Sequence, residues 1–222
     1  MNQTNTAVRT VSGVPVSRVV RNAYILLAMV MGTAAVGAGV GLAMNIGWGL
    51  GMWLLLMVVF IGGPFAINAA KGGQAAIGLT FAWAALVGFL LSPLVSLYAS
   101  MPGGHMIVVN ALATTAVLFG ALSAYAITSR RDFSFMGGFL FAGLIVVVLA
   151  IVANLFLQMP ALSLAISSVA VMLMCGMILF ETSRLVHGGQ ASSVMIVVSL
   201  FSSITVLFLH LLNLFTLLTG ND

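Results

Sequence analysis

Residues 133–180 read FSFMGGFLFAGLIVVVLAIVANLFLQMPALSLAISSVAVMLMCGMILF, 48 consecutive positions without Asp, Glu, Lys or Arg. A membrane-spanning helix takes about 20 apolar residues, so this stretch predicts two spans joined by a turn. Gln158-Met159-Pro160 marks the turn. Proline punctuates helices, and Pro160 suits the opening of the next one. On both sides of the turn the apolar character is continuous. A strand of a membrane barrel would alternate over about ten residues, so the spans are helices.

Two further runs precede this one. Residues 22–70 and 72–129 are charge-free over 49 and 58 positions. Turn chemistry divides each: Asn45-Ile46-Gly47-Trp48-Gly49 in the first, Ser100-Met101-Pro102-Gly103-Gly104-His105 in the second. The final run, 185–221, has 37 residues and holds one long span. The expected architecture is an all-α polytopic membrane protein, a bundle of seven transmembrane helices. The spans fall at about 23–43, 50–69, 75–98, 106–128, 135–157, 161–182 and 192–218. Residues 1–22 are polar, lack tryptophan, tyrosine and phenylalanine, and carry Arg9, Arg18 and Arg21. They predict a flexible cytoplasmic tail, because so polar a segment buries too little surface to order itself. The apolar stretch behind it is too long for a signal-peptide core, so tail and first span are expected to stay uncleaved.

Composition narrows the function classes. Only 5% of the 222 residues are charged and 62% are hydrophobic, against about 25% charged in a soluble domain. Seven basic residues are too few for a nucleic-acid surface. They also orient the bundle. With seven spans, the N-terminus and the 2–3, 4–5 and 6–7 loops share one side. That side holds Arg9, Arg18, Arg21, Lys71, Arg130, Arg131 and Arg184, all the Lys and Arg of the chain. The positive-inside rule makes it cytoplasmic and places the C-terminus, with Asp222, outside.

Polar residues within the spans are the informative exceptions. Ser199, Ser203, His210 and Asn213 in span 7 lie at offsets 0, 4, 11 and 14, which return to one helical face. Facing lipid, such a stripe would leave polar groups unsatisfied, so span 7 is a candidate central helix, with Ser199, His210 and Asn213 as candidate cavity-lining residues. Ser163, Ser167, Met174 and Glu181 make a similar stripe on span 6. Glu181 is the only acidic residue within or at the edge of a span. Two readings stand for it. An intramembrane carboxylate is a functional-site candidate, and an interfacial glutamate paired three residues on with Arg184 is an ordinary helix contact. Gly37 and Gly41 form a GxxxG in span 1, and Ala84 and Gly88 a related pair in span 3. These fit close helix packing within the bundle or a dimer seam.

Catalytic and metal motifs are absent. There is no Gly-x-Ser, no HExxH, no P-loop and no dinucleotide fingerprint, and Cys175 is the single cysteine. No enzyme activity, cofactor or metal is expected.

Several segments together carry a family resemblance. They are Gly88-Phe89-Leu90-Leu91-Ser92-Pro93-Leu94, Ser123-Ala124-Tyr125, Arg131-Asp132-Phe133-Ser134-Phe135-Met136-Gly137-Gly138, Val152-Ala153-Asn154-Leu155-Phe156-Leu157-Gln158, Phe180-Glu181-Thr182-Ser183 and His187-Gly188-Gly189. In order and spacing the chain resembles the Bax inhibitor-1 (TMBIM) family over most of residues 20–218, and more closely its enterobacterial branch that modulates the membrane AAA protease FtsH. The resemblance implies a seven-helix fold with helix 7 near the centre, a bacterial inner-membrane location, and the FtsH protease complex and membrane lipids as partners. In calcium-leak members two aspartates face each other at the end of span 6 and within span 7. Here those positions match Glu181 and Ser203, candidate gating or ion-sensing residues of which only the first is ionisable. The alternative function is therefore a pH-sensitive calcium or proton leak with an altered acidic pair.

Overall fold

The structure is a computed structural model that describes residues 16–70, 73–129, 131–187 and 192–220. Among these residues are seven helices long and apolar enough to cross a membrane. They are α1 (Val16–Ala43), α2 (Leu50–Ala69), α3 (Gly73–Ala99), α4 (Gly104–Ser129), α5 (Gly137–Leu157), α6 (Pro160–Val186) and α7 (Ser193–Thr219). A short 3-10 turn, Ser134–Met136, leads into α5. The polytopic all-α expectation holds.

The turns use the residues expected of them. Asn45 takes a left-handed conformation (φ 50°) just beyond α1, as does Gln158 (φ 49°) beyond α5. Asn tolerates this region well, and at the second turn Asn154 helps by accepting the Met159 N–H at 3.2 Å. Pro160 then opens α6. The helix bounds differ most from expectation at two ends. α1 begins at Val16, so the tail boundary expected at residue 22 moves at least to Val16. Pro15 immediately precedes the helix and nothing between it and Gly32 breaks one. α6 likewise runs on to Val186, past the expected end at 182. A helix does not stop where apolar sequence stops; it needs a breaker. Residues 1–15, Lys71, Arg130, Gly188, Gly189 and Asp222 lie outside the described residues.

The small residues of spans 1 and 3 meet each other within this chain. A Cβ on Gly37 would overlap the Ala85 carbonyl, and one on Gly41 the Ser92 hydroxyl. From the other side, a Cβ on Gly88 would overlap the carbonyl of Ala34. The GxxxG thus serves backbone-to-backbone packing of α1 on α3. Pro93 sits inside α3 and cannot donate to the Phe89 carbonyl four residues back. The Ser92 hydroxyl donates to that carbonyl at 2.7 Å. The Ser-Pro pair repairs the hydrogen-bond ladder that the proline interrupts, which matters where no water can do so.

Trp83 ties α3 to two more helices. Its indole N–H donates to the Val59 carbonyl of α2 at 2.8 Å. Its ring meets Phe201 of α7 edge-on at 5.2 Å. Gly63 leaves the space that the indole occupies. α7 packs against α1, α2, α3, α4 and α6. α5 packs only on α6 and the turn before it. Among the described residues no Cα of α2 lies within 8 Å of one of α5, and α1 meets α4 only through side chains, the Tyr24 and Phe119 rings lying 6.0 Å apart. The separation of α2 from α5 leaves a cleft floored by α6 and α7.

Gly37→Leu is expected to destabilise the bundle by at least about 2 kcal/mol, since a backbone carbonyl cannot give way to the new side chain. Gly39→Leu, where a Cβ meets nothing within 4 Å, is expected to be close to neutral. Thermal unfolding of the purified protein in one detergent compares the two.

Candidate functional site

The two polar stripes of the sequence face each other across the α6–α7 interface. Near one end, the Asn213 side-chain amide donates to Ser163 at 3.1 Å and to Ser167 at 2.8 Å. His210 Nδ1 lies 3.4 Å from the Ser167 hydroxyl. Near the other end, the Ser203 hydroxyl donates to the Glu181 carboxylate, 3.3 Å from Oε1 and 3.2 Å from Oε2. Ser199 also donates to Oε1. Met174 lies between these groups on α6 and is 5% exposed. The antiparallel helices therefore pair serines with an amide at one end and a carboxylate with serines at the other.

Glu181 is 2% exposed and Ser203 4%. The carboxylate turns inward to α7, where its hydrogen bonds come from Ser199 and Ser203. Arg184 lines the same cavity as Glu181 and lies over the Phe180 ring, 5.4 Å from its centroid. The reason is geometric. Position 181 falls on the buried stripe of α6, while 180 and 184 share a more open face.

Glu181 lines two cavities. One, of about 260 Å³, is bounded by Phe60 and Pro64 of α2, Leu144 of α5, Met174 and Met177 of α6, and several residues of α7 including Met195, Ser199, Ser202 and Ser203. The other, of about 430 Å³, holds Asn68, Arg184 and Ser192, and shares Glu181, Met195 and Ser199 with the first. It lies at the end of the bundle that carries the 6–7 loop. Ser199 thus lines both cavities. His210 and Asn213 line neither, and their polar groups are spent on Ser163 and Ser167. Among the described residues no group of three His, Cys, Asp or Glu could hold a metal ion.

Further contacts not drawn from the sequence pattern hold α6 in place around the carboxylate. The buried Thr182 hydroxyl pairs with Tyr24 of α1 at 3.3 Å. Ser183 donates to the Arg131 carbonyl at 3.1 Å and accepts the Phe133 N–H at 3.0 Å, clasping the 4–5 loop to the end of α6. In that loop, hydrogen bonds from Ser134, its side chain and then its backbone N–H, hold the exposed Asp132 carboxyl below the ordinary carboxylate range. The polar run Glu181-Thr182-Ser183 was the available signal, since three successive polar residues point to three sides of a helix and each needs a partner.

Ser203→Val is expected to cost about 1–3 kcal/mol, because it strips a hydrogen bond from a buried carboxylate. Ser202→Ala, whose hydroxyl donates only to the Val198 carbonyl at 2.9 Å, is expected to cost less than about 0.5 kcal/mol. Equilibrium unfolding of both variants gives the comparison.

The chain is similar to several bacterial proteins along nearly its full length. It is 38% identical over 197 residues to a protein of Escherichia coli K12 named Modulator of FtsH protease YccA, covering 89% of each chain. It is 37% identical over 209 residues to an uncharacterized membrane protein of Vibrio cholerae, covering 93% of this chain and 92% of the relative. A third relative, from Pseudomonas aeruginosa, is 35% identical over 207 residues. The family model described as Inhibitor of apoptosis-promoting Bax1 matches residues 16–220, from the start of α1 to just beyond α7. This chain belongs to the Bax inhibitor-1 family of polytopic membrane proteins.

Proposed function

We propose that this protein is a non-enzymatic regulator of the inner membrane that binds an FtsH-type protease and limits its action on other membrane substrates. The similarity to the E. coli protein named a modulator of FtsH carries this reading. The chain's physical properties support it. An AAA protease must grip a segment that does not resist unfolding, and residues 1–15 have the polar composition of such a segment. Behind them stands α1, locked to α3 by close backbone contact at Gly37, Gly41 and Gly88. A protease that seizes the tail meets a bundle that is costly to extract, and is held there.

The orientation this requires, tail in the cytoplasm and C-terminus in the periplasm, rests on the one-sided distribution of Lys and Arg. In a Cys175→Ser background, Asn2→Cys is expected to stay unlabelled and Asn221→Cys to react when intact spheroplasts meet a membrane-impermeant maleimide.

In this reading Glu181, Ser199 and Ser203 are a buried polar lock between α6 and α7 that holds the bundle in one register. A cation path through Glu181 is the weaker reading. Ser203 stands where a second carboxylate would complete an acidic pair, and calcium takes six to eight oxygen ligands.

Co-purification with FtsH from membranes, with and without residues 1–20, tests the proposal. The full chain is expected to retain FtsH and the truncated chain to lose most of it. If neither form retains FtsH, the proposal falls. Calcium and proton flux in proteoliposomes is expected to match empty vesicles for both wild type and Glu181→Gln.

A further inference from the structure

Glu181 lies where two routes meet, and they differ in chemistry. The route from the 6–7 loop end passes Arg184, which lines the polar cavity beside the carboxylate. A cation arriving that way meets a like charge first. The other route is lateral. The 260 Å³ cavity is walled by Phe60, Pro64 and Leu144, which belong to α2 and α5, and no Cα atoms of these two helices come within 8 Å of each other. Outside it, Ile61 is 59% exposed and Phe65 71% exposed. That cleft is lined by apolar groups almost throughout and ends on the one acidic side chain within the spans.

We propose that the cleft between α2 and α5 binds a single-chain amphipathic ammonium compound, with its cationic head paired to the Glu181 carboxylate and its apolar tail leaving into the bilayer between the two helices.

An anionic head would find no cationic side chain in this cavity. A bare metal ion is disfavoured because one carboxylate and three serine hydroxyls fall short of the six to eight oxygen ligands that calcium takes, and the other lining side chains are apolar. An organic ammonium carries its own apolar substituents and needs no such cage. Ser199 and Ser203 already hold the carboxylate in place, so pairing costs little reorientation. Phe60 contributes an aromatic ring to the same cavity, a favourable neighbour for alkylated ammonium. Met174, Met177 and Met195 supply adaptable, polarizable walls. The volume exceeds the approximately 150 Å³ that suffices for benzene in an apolar cavity, enough for a compact head. The larger apolar groove of about 680 Å³ between α1 and α4 has no charged lining residue, so it offers nothing to recognise a head group.

The test uses the full chain in phosphatidylglycerol nanodiscs, titrated with dodecyltrimethylammonium below its micellar concentration. Saturable one-to-one binding is expected, with no competition from dodecanoate. Glu181→Gln is expected to weaken it at least about tenfold. Met177→Trp, which fills the cavity and leaves the carboxylate in place, is expected to do the same. A dodecylammonium with a photoreactive tail is expected to label α2 and α5. Adding lysophosphatidylethanolamine to the discs separates the sources: displacement of the probe assigns the head to a single-chain amine lipid of the membrane, and undiminished binding assigns it to a soluble amphiphile. Equal binding of dodecanoate, or labelling confined to α1 and α4, overturns the proposal. So does affinity unchanged in Met177→Trp, which decides the matter if Glu181→Gln does not fold. None of these readouts involves the protease.

Discussion

Lipid offers no hydrogen-bond partner, and that constraint organises this molecule. Most buried polar side chains inside the spans pair with another protein group, Ser123 and Ser129 of α4 being exceptions among the described residues. The largest debt is the carboxylate of Glu181, which would be very costly in hydrocarbon alone. It is met by the hydroxyls of Ser199 and Ser203, about two and three turns into the facing helix. The same helix pair satisfies Asn213 and His210 through Ser163 and Ser167. Because the contacts sit at both ends of one seam, the register of α6 against α7 is specified over most of its length. Sliding either helix by a residue would strand a carboxylate and an amide together.

Around that polar seam the bundle is built by shape. Apolar side chains gain little from each other over lipid, so close approach has to come from small residues. α1 and α3 achieve it through Gly37, Gly41 and Gly88. At Pro93 the orphaned Phe89 carbonyl is taken by Ser92. The Trp83 indole donates to the Val59 carbonyl of α2, and Gly63 gives the ring room. Not all the helices approach one another closely. The gap between α2 and α5 gives the buried carboxylate an apolar approach from the side.

The spans, turns and most helix bounds could be read from the chain, because each depends on nearby residues. Charge-free runs set the number of spans, and Asn45, Gln158 and Pro160 stop or start helices by their own backbone preferences. The stripes on spans 6 and 7 were visible too, since a helix repeats every 3.6 residues. Helices α1 and α6 extend beyond the apolar spans, from Val16 and to Val186, because polar residues alone do not break a helix. His210 and Asn213 share the stripe of α7 but are bonded to serines of α6 and line neither cavity at Glu181. A stripe tells which way a residue faces but not whether a partner or a void lies opposite.

The sequence by itself determined that this is a seven-span helical membrane protein, because hydropathy and charge spacing are properties of the chain in order. It also marked Glu181 as exceptional, as the lone acid among the spans. Only the tertiary structure decided that the carboxylate takes its hydrogen bonds from α7, and that it lines both an apolar cavity and a polar one. It alone decided that the GxxxG of α1 is used against α3 of the same chain. Those outcomes depend on which helix faces which, and at what height, and helical periodicity carries neither.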